Sequence, residues 1–278
     1  MPTLSLRDAL VSYTDVGRGQ PVILVHGSAA NRRIWHALLE RLADRYRVIA
    51  PDLSGCGESA AREGVSAAVD VDAVRALAQA VGEPFHLVGH SYGGAVVLVA
   101  ALELAPRLRS LTVIEPASFQ LLRPDADAAA LEEIEAVASR HLELVASDDL
   151  EACAEHFMRY WIGPAAWAAM PAELRCRIVA TMPKVAAEFR FFFREARGAD
   201  HFLHLRVPTL LVRGTRTTLA ARRVVEVLGK LLPNARLAEL HGAGHLAPVT
   251  HPALVEAAIE AHIGRWTASL PVETAKAA

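Results

Sequence analysis

The sequence predicts an α/β fold, a largely parallel sheet covered by helices on both faces, and three observations carry that reading. Short, wholly apolar segments alternate with segments whose apolar residues recur at helical spacing. One such alternation passes through a glycine-flanked turn with a serine at its tip, Gly89-His90-Ser91-Tyr92-Gly93. Between two of the apolar segments, residues 119–200 offer no convincing strand and read as a block of helices.

In chain order, residues 9–15 read as a strand closed by Val16-Gly17-Arg18-Gly19, and 22–25 as a buried strand running into His26-Gly27. A helix over 35–43 and a strand over 47–50 follow, then a Gly-rich loop over 51–59. Val71, Val74, Leu77, Ala78 and Val81 define a helix over 69–81 that Gly82 stops. The strand 85–88, the serine turn and a helix reaching Leu104 come next, and then a buried strand over 111–114 ending in Glu115-Pro116. The helical block divides into 128–145, 150–161, 171–179 and 183–197, with Pro171 and Pro183 as the starts of the last two. It gathers aromatic residues, among them Trp161, Trp167 and Phe192. Strands over 209–212 and 236–240 and helices over 219–232 and 253–265 complete the pattern, and 267–278 reads as a frayed tail. The expected division is 1–118 with 201–278 as the α/β core and 119–200 as a helical insertion. An insertion at the C-terminal strand ends overlies the place where such sheets bind ligands, which makes it an expected lid.

Composition narrows the function. The chain has 278 residues, of which 53% are hydrophobic, enough for a sizeable core. Its 29 Lys+Arg nearly balance 31 Asp+Glu without a dense basic stretch, which argues against nucleic acid as a partner. Cys56, Cys153 and Cys176 are far apart and form no C-x-x-C, so neither a zinc site nor a disulfide framework is expected. The first ten residues contain Arg7 and Asp8 and no long apolar block, so no signal peptide is expected; nor is a membrane span, and the expected location is cytoplasmic. The sequence does not indicate an oligomeric state.

The serine turn carries the chemistry. G-x-S-x-G between a strand and a helix is the setting of a nucleophile elbow, in which Ser91 sits at a strained position and side chains at Gly89 or Gly93 would collide with their neighbours. A serine hydroxyl needs a base, an acid behind that base and donors for the oxyanion. His245, in Gly242-Ala243-Gly244-His245 between the last strand and the last helix, is the expected base ahead of His241 and His251. The backbone N–H groups of Tyr92 and of Ser28, in His26-Gly27-Ser28-Ala29, are the expected oxyanion donors, with His26 structural.

These motifs, H-G-S-A at 26–29, P-D-L-S-G-C-G-E-S at 51–59, G-H-S-Y-G-G at 89–94 and G-A-G-H at 242–245, together resemble the α/β-hydrolase superfamily over nearly the whole chain. The resemblance implies an eight-stranded, mostly parallel sheet with a helical cap inserted after the sixth strand, and no cofactor or metal. It implies a loop-shaping role for Asp52. It fails at one place. Members of the superfamily usually carry the triad Asp in a G-x-x-D pattern after the seventh strand, where this chain reads Gly214-Thr215-Arg216-Thr217, and no acid occurs between Asp200 and Glu226. Glu115 stands at the end of the strand expected beside the nucleophile strand, about 4.8 Å away. Some haloalkane dehalogenases and zearalenone-type lactonases of the superfamily place their acid there, so Glu115 is the expected acid, and Thr217 is expected to be dispensable.

A serine nucleophile excludes dehalogenation through an alkyl-enzyme ester and leaves acyl chemistry. The first reading is a carboxylic ester hydrolase acting on a small-molecule ester through an acyl-enzyme. The second is a lactonase of zearalenone-type layout, which the Gly242–Pro252 run also resembles. The third is a ligand receptor of the same fold without turnover. Trp161, Trp167 and Phe192 are the candidates for substrate-wall residues.

Overall fold

In the computed structural model, which describes residues 2–6, 10–60, 68–123, 125–195 and 197–267, eight strands form one sheet. They are β1 (Thr3–Ser5), β2 (Leu10–Val16), β3 (Gln20–Val25), β4 (Tyr46–Pro51), β5 (Phe85–His90), β6 (Leu108–Ile114), β7 (Thr209–Gly214) and β8 (Ala235–Leu240). Their spatial order is β1-β2-β4-β3-β5-β6-β7-β8. β1 and β2 are antiparallel to their neighbours, and β3 to β8 run parallel.

The helices are α1 (His36–Leu42), α2 (Ala68–Val81), α3 (Ser91–Leu104), α4 (Ala128–Ala146), α5 (Leu150–Ile162), α6 (Pro164–Ala168), α7 (Ala172–Arg194), α8 (Ala199–Phe202), α9 (Leu219–Leu231), α10 (Ala247–Thr250) and α11 (Pro252–Thr267). Strand alternation sorts the core into two layers. Ile23, Val25, Leu87, Leu111, Val113 and Leu211 pack with residues of α2, α3 and α9 on one face. Val22, Leu24, Val88, Ile114 and Val212 pack with residues of α1 and α11 on the other. With both faces covered, the central strands can be apolar throughout, which is why they read as continuous apolar runs. Each fully buried Leu or Ile contributes roughly 1.5–3 kcal/mol.

The expected fold is thus observed, with adjustments. β1 passes unnoticed in the sequence because it is only Thr3–Ser5. β6 begins at Leu108, three residues before the apolar run (111 − 108 = 3). The expected break before Pro183 does not occur: α7 is continuous with Pro183 inside it. Ile178, Met182, Val185, Ala186, Phe189 and Phe192 are buried along α7, and that burial offsets the hydrogen bond proline removes. The frayed tail lies, beyond Thr267, outside the described residues.

Register sets the level of the site. His90 on β5 pairs with Ile114 on β6, which pairs with Val212 on β7. The next residues, Ser91 and Glu115, therefore leave two neighbouring strands at the same height. Helices α4 to α8 all lie between β6 and β7 in the chain.

Candidate active site

Ser91 opens α3 directly after β5 with φ +51°, in the left-handed region that a residue with a Cβ seldom occupies. The tightness of this turn has visible causes. A Cβ at Gly89 would come within 2.4 Å of the Gly93 carbonyl oxygen, and one at Gly93 within 2.3 Å of the His26 oxygen on the β3 side. The two glycines let the strand and helix close up around the serine. Ala29 and Glu115, at φ +52° and +43°, share the left-handed conformation. Three such residues lie at or beside one group of strand ends, and backbone strain of this kind concentrates at functional sites.

His245 bridges the two strand ends. Its Nε2 lies 2.9 Å from Ser91 Oγ and its Nδ1 2.7 Å from Glu115 Oε2. Ser91, His245 and Glu115 are all buried. Burial pushes the Glu115 carboxyl up, but hydrogen bonds from His245, Thr217 and the Gly214 N–H outweigh it and hold the group below its ordinary value. Glu115 is therefore ionised near neutrality. His245 Nδ1 carries the proton and donates it to the carboxylate, which leaves Nε2 to accept from the serine hydroxyl.

Thr217, at the position where an Asp was expected and missed, is not a bystander. Its Oγ1 donates to Glu115 Oε2 at 2.5 Å, and the Gly214 N–H donates to Oε1 at 2.7 Å. The loop after β7 thus supplies donors to a carboxylate rooted on β6. The expectation that Thr217 is dispensable is revised accordingly.

Two further histidines are fixed as neutral. His26 donates from Nδ1 to the Gly27 oxygen and accepts the Leu53 N–H on Nε2, and burial lowers its pKa to about 4. His90 donates from Nε2 to the His245 carbonyl oxygen at 2.9 Å, and burial lowers it to about 3. The residue before the serine thereby holds the backbone of the histidine that faces the serine. Of the competing histidines, His241 is exposed and His251 hydrogen-bonds Thr250. Asp52 accepts the backbone N–H groups of Arg32 and Glu58, which pins the loop as expected. Burial pushes the Cys56 thiol up to about 12, so it stays protonated.

A small cavity of about 20 Å³ lies over Ser91. Ser28, Tyr92, Trp161, Glu188, Phe189 and Phe192 are among its lining residues. Ser28 and Tyr92, the expected oxyanion donors, thus flank Ser91. Tyr92 is in the first turn of α3, where backbone N–H groups point out of the helix. Trp161, from α5, stacks on the His245 ring with centroids 3.8 Å apart and planes 23° apart. Phe192 meets the Tyr92 ring edge-on. Trp167 is different: it does not line this cavity but is buried in α6 with the Arg175 guanidinium over its ring. Its assignment to the substrate wall is withdrawn. Glu188 is the charged residue in this lining, and the sequence did not single it out. A Lys four residues before a Glu, as in Lys184 and Glu188, reads as an ordinary exposed helical ion pair, and only the fold buries it. Among the described residues, no group of three or more His, Cys, Asp or Glu could hold a metal ion, and no helix is long and apolar enough to cross a membrane.

An elbow serine, a histidine behind it and a doubly wound sheet define a hydrolase of the α/β class. The chain belongs to the alpha/beta hydrolase family, whose model matches residues 22–258. It is 26% identical over 266 residues to the pimeloyl-[acyl-carrier protein] methyl ester esterase of Aeromonas hydrophila, covering 91% of this chain and 99% of that one. It is 26% identical over 264 residues to haloalkane dehalogenase 2 of Mycobacterium tuberculosis, covering 91% of each. Among solved structures, a thermophilic esterase from Thermogutta terrifontis superposes with a TM-score of 0.74 at 27% identity, over 93% of this chain and 94% of that one.

Proposed function

We propose that the protein is a serine hydrolase that cleaves a carboxylic ester through an acyl-enzyme, with Ser91 as nucleophile, His245 as base and Glu115 as acid. The observation that carries this reading is the unbroken chain from Ser91 Oγ to His245 Nε2 and from Nδ1 to Glu115 Oε2. Ser91 Oγ attacks the carbonyl carbon as Nε2 takes its proton. The resulting oxyanion is met by the Ser28 and Tyr92 N–H groups. The imidazolium, steadied by Glu115, returns the proton to the leaving alcohol, and water repeats the cycle on the acyl-enzyme. Residues 119–200 act as a helical cap, and Trp161 and Phe192 shape the acyl or alcohol side of the cavity.

A lactone ring would be opened by the same steps, and the placement of the acid on β6 favours that second reading, because it is the layout of zearalenone-type lactonases. A fluorophosphonate probe with a short-chain p-nitrophenyl ester assay tests the proposal. Labelling at Ser91 with turnover, both lost in Ser91→Ala, is expected. Neither labelling nor turnover in the wild-type protein would refute the enzyme and favour a binding protein of this fold. A panel of esters and lactones of graded acyl length then separates the two hydrolytic readings.

A further inference from the structure

A buried run of charges beside the cavity is left unused by this mechanism. On α7, Lys184 Nζ lies 2.6 Å from Glu188 Oε1 and 3.0 Å from Oδ2 of Asp70, which comes from α2. Asp70 and Glu188 are 1% and 3% exposed. Glu188 Oε2 accepts the Ser28 hydroxyl at 2.5 Å, and Asp70 Oδ2 accepts the Tyr92 hydroxyl at 2.5 Å. Lys184 also stands 4.5 Å from the centre of the Tyr92 ring. The run therefore reads Ser28, Glu188, Lys184, Asp70, Tyr92. Its two ends are the side chains of the two residues assigned to the oxyanion hole.

Two features argue that this arrangement is more than packing. Burying two carboxylates and an ammonium is costly, and such groups seldom add net stability over apolar ones of the same size. They also place a negative charge, Glu188, on the wall of a cavity where an oxyanion would form, which opposes the reaction unless Lys184 neutralises it. Moreover, Lys184 and Glu188 belong to α7, in the helical segment between β6 and β7, whereas Ser28 lies in the loop after β3 and Asp70 and Tyr92 in α2 and α3.

We infer that Lys184 is a positioning residue: with Glu188 it clamps the Ser28 and Tyr92 side chains, and so assembles the oxyanion hole only while α7 is seated on the core. This inference rests on the serine-hydrolase reading. Seating of α7 then does two things at once, closing the cavity and setting the two backbone donors, so that an open protein binds ester without hydrolysing it.

The test is steady-state kinetics on a short p-nitrophenyl ester, binding of a boronic acid that forms a tetrahedral adduct on Ser91, and thermal unfolding. The proteins compared are wild type, Lys184→Met, Lys184→Arg and Ser28→Ala. Lys184→Met is expected to lose about 10- to 100-fold in kcat and in boronate affinity, less than or equal to deletion of one oxyanion donor, with KM nearly unchanged. Lys184→Arg, which keeps the charge, recovers most of the loss. Ser28→Ala leaves the ion pairs and its own N–H in place and is expected to lose about threefold to tenfold in kcat at an unchanged melting temperature. If Lys184→Met does not fold, Ser28→Ala decides. Wild-type kcat and boronate affinity in the folded variants would overturn the inference alone. A wild-type protein that neither labels at Ser91 nor turns over would overturn the serine-hydrolase reading and this inference with it.

Discussion

The ends of β6 and β7 lie side by side and do opposite work. β6 is followed at once by Glu115, a buried carboxylate in a left-handed conformation that accepts a hydrogen bond from His245 Nδ1. β7 ends in Gly214 and leads to Thr217, which give that carboxylate an N–H and an O–H. One strand end brings the charge and the other solvates it. The difference teaches that a buried carboxylate at one strand end can be held ionised by donors from the loop after the next strand. Burial alone would raise the pKa of such a carboxylate, and the donors are what lower it.

The largest effect should come from removing the charge while keeping the shape. Under the proposed mechanism, Glu115→Gln should lower kcat by about a thousandfold or more, in a protein that still folds but melts at a lower temperature, because the amide cannot accept from all the donors that meet Glu115. A variant within threefold of wild type would end the assignment of the acid to β6. A smaller effect would come from moving the acid across. Glu115→Gly combined with Thr217→Asp is expected to regain about tenfold or more over Glu115→Gly alone, since the Thr217 hydroxyl already reaches the oxygen that His245 touches. No recovery in kcat would show that only the β6 end presents a usable geometry.

The smallest effect concerns the donor. Thr217→Ala should cost about tenfold or less in kcat, at most the lower end of what one hydrogen bond to a charged group contributes. It should also alter the acid side of stability. Glu115 has its carboxyl held below the ordinary value of 4.5, so its contribution is complete above that value and is lost as pH falls through the lowered one. Without Thr217 that lowered value rises, so the fall in melting temperature still begins near the ordinary value but should be smaller and end at a higher pH than in wild type. Coincident unfolding curves across acid pH would show that the threonine hydroxyl carries none of the depression.

The contrast between these two strand ends also marks what the sequence could disclose. Ser91, His245 and Glu115 were legible because each follows a strand or sits on a loop whose place the apolar pattern fixes, and because the loop at 214–217 lacks an acid. The donor role of Thr217 was not legible, since a threonine three residues into a loop has no pattern that says which way its hydroxyl points. Lys184, Glu188 and Asp70 were hidden for a related reason: charged residues on amphipathic helices normally face water, and only the fold brings Lys184 of α7 to Asp70 of α2 and buries the group. The same holds for the aromatic residues of the helical segment. Trp161 and Trp167 are indistinguishable by composition, yet one lies on His245 and the other under Arg175. The break expected at Pro183 failed because a local propensity lost to the buried face of a long helix.

The stack of Trp161 on His245 gives this protein an optical signal of its own. Indole emission is quenched by a nearby imidazole, most strongly when the imidazole is protonated, and a ring at 3.8 Å is in contact range. The difference in emission between wild type and Trp161→Phe therefore isolates one reporter from the chain's four tryptophans. Lifting α5 away from the sheet would brighten it, and a ligand that wedges between the rings would do the same, so occupancy of the cavity can be followed in real time without a label or a chromogenic substrate.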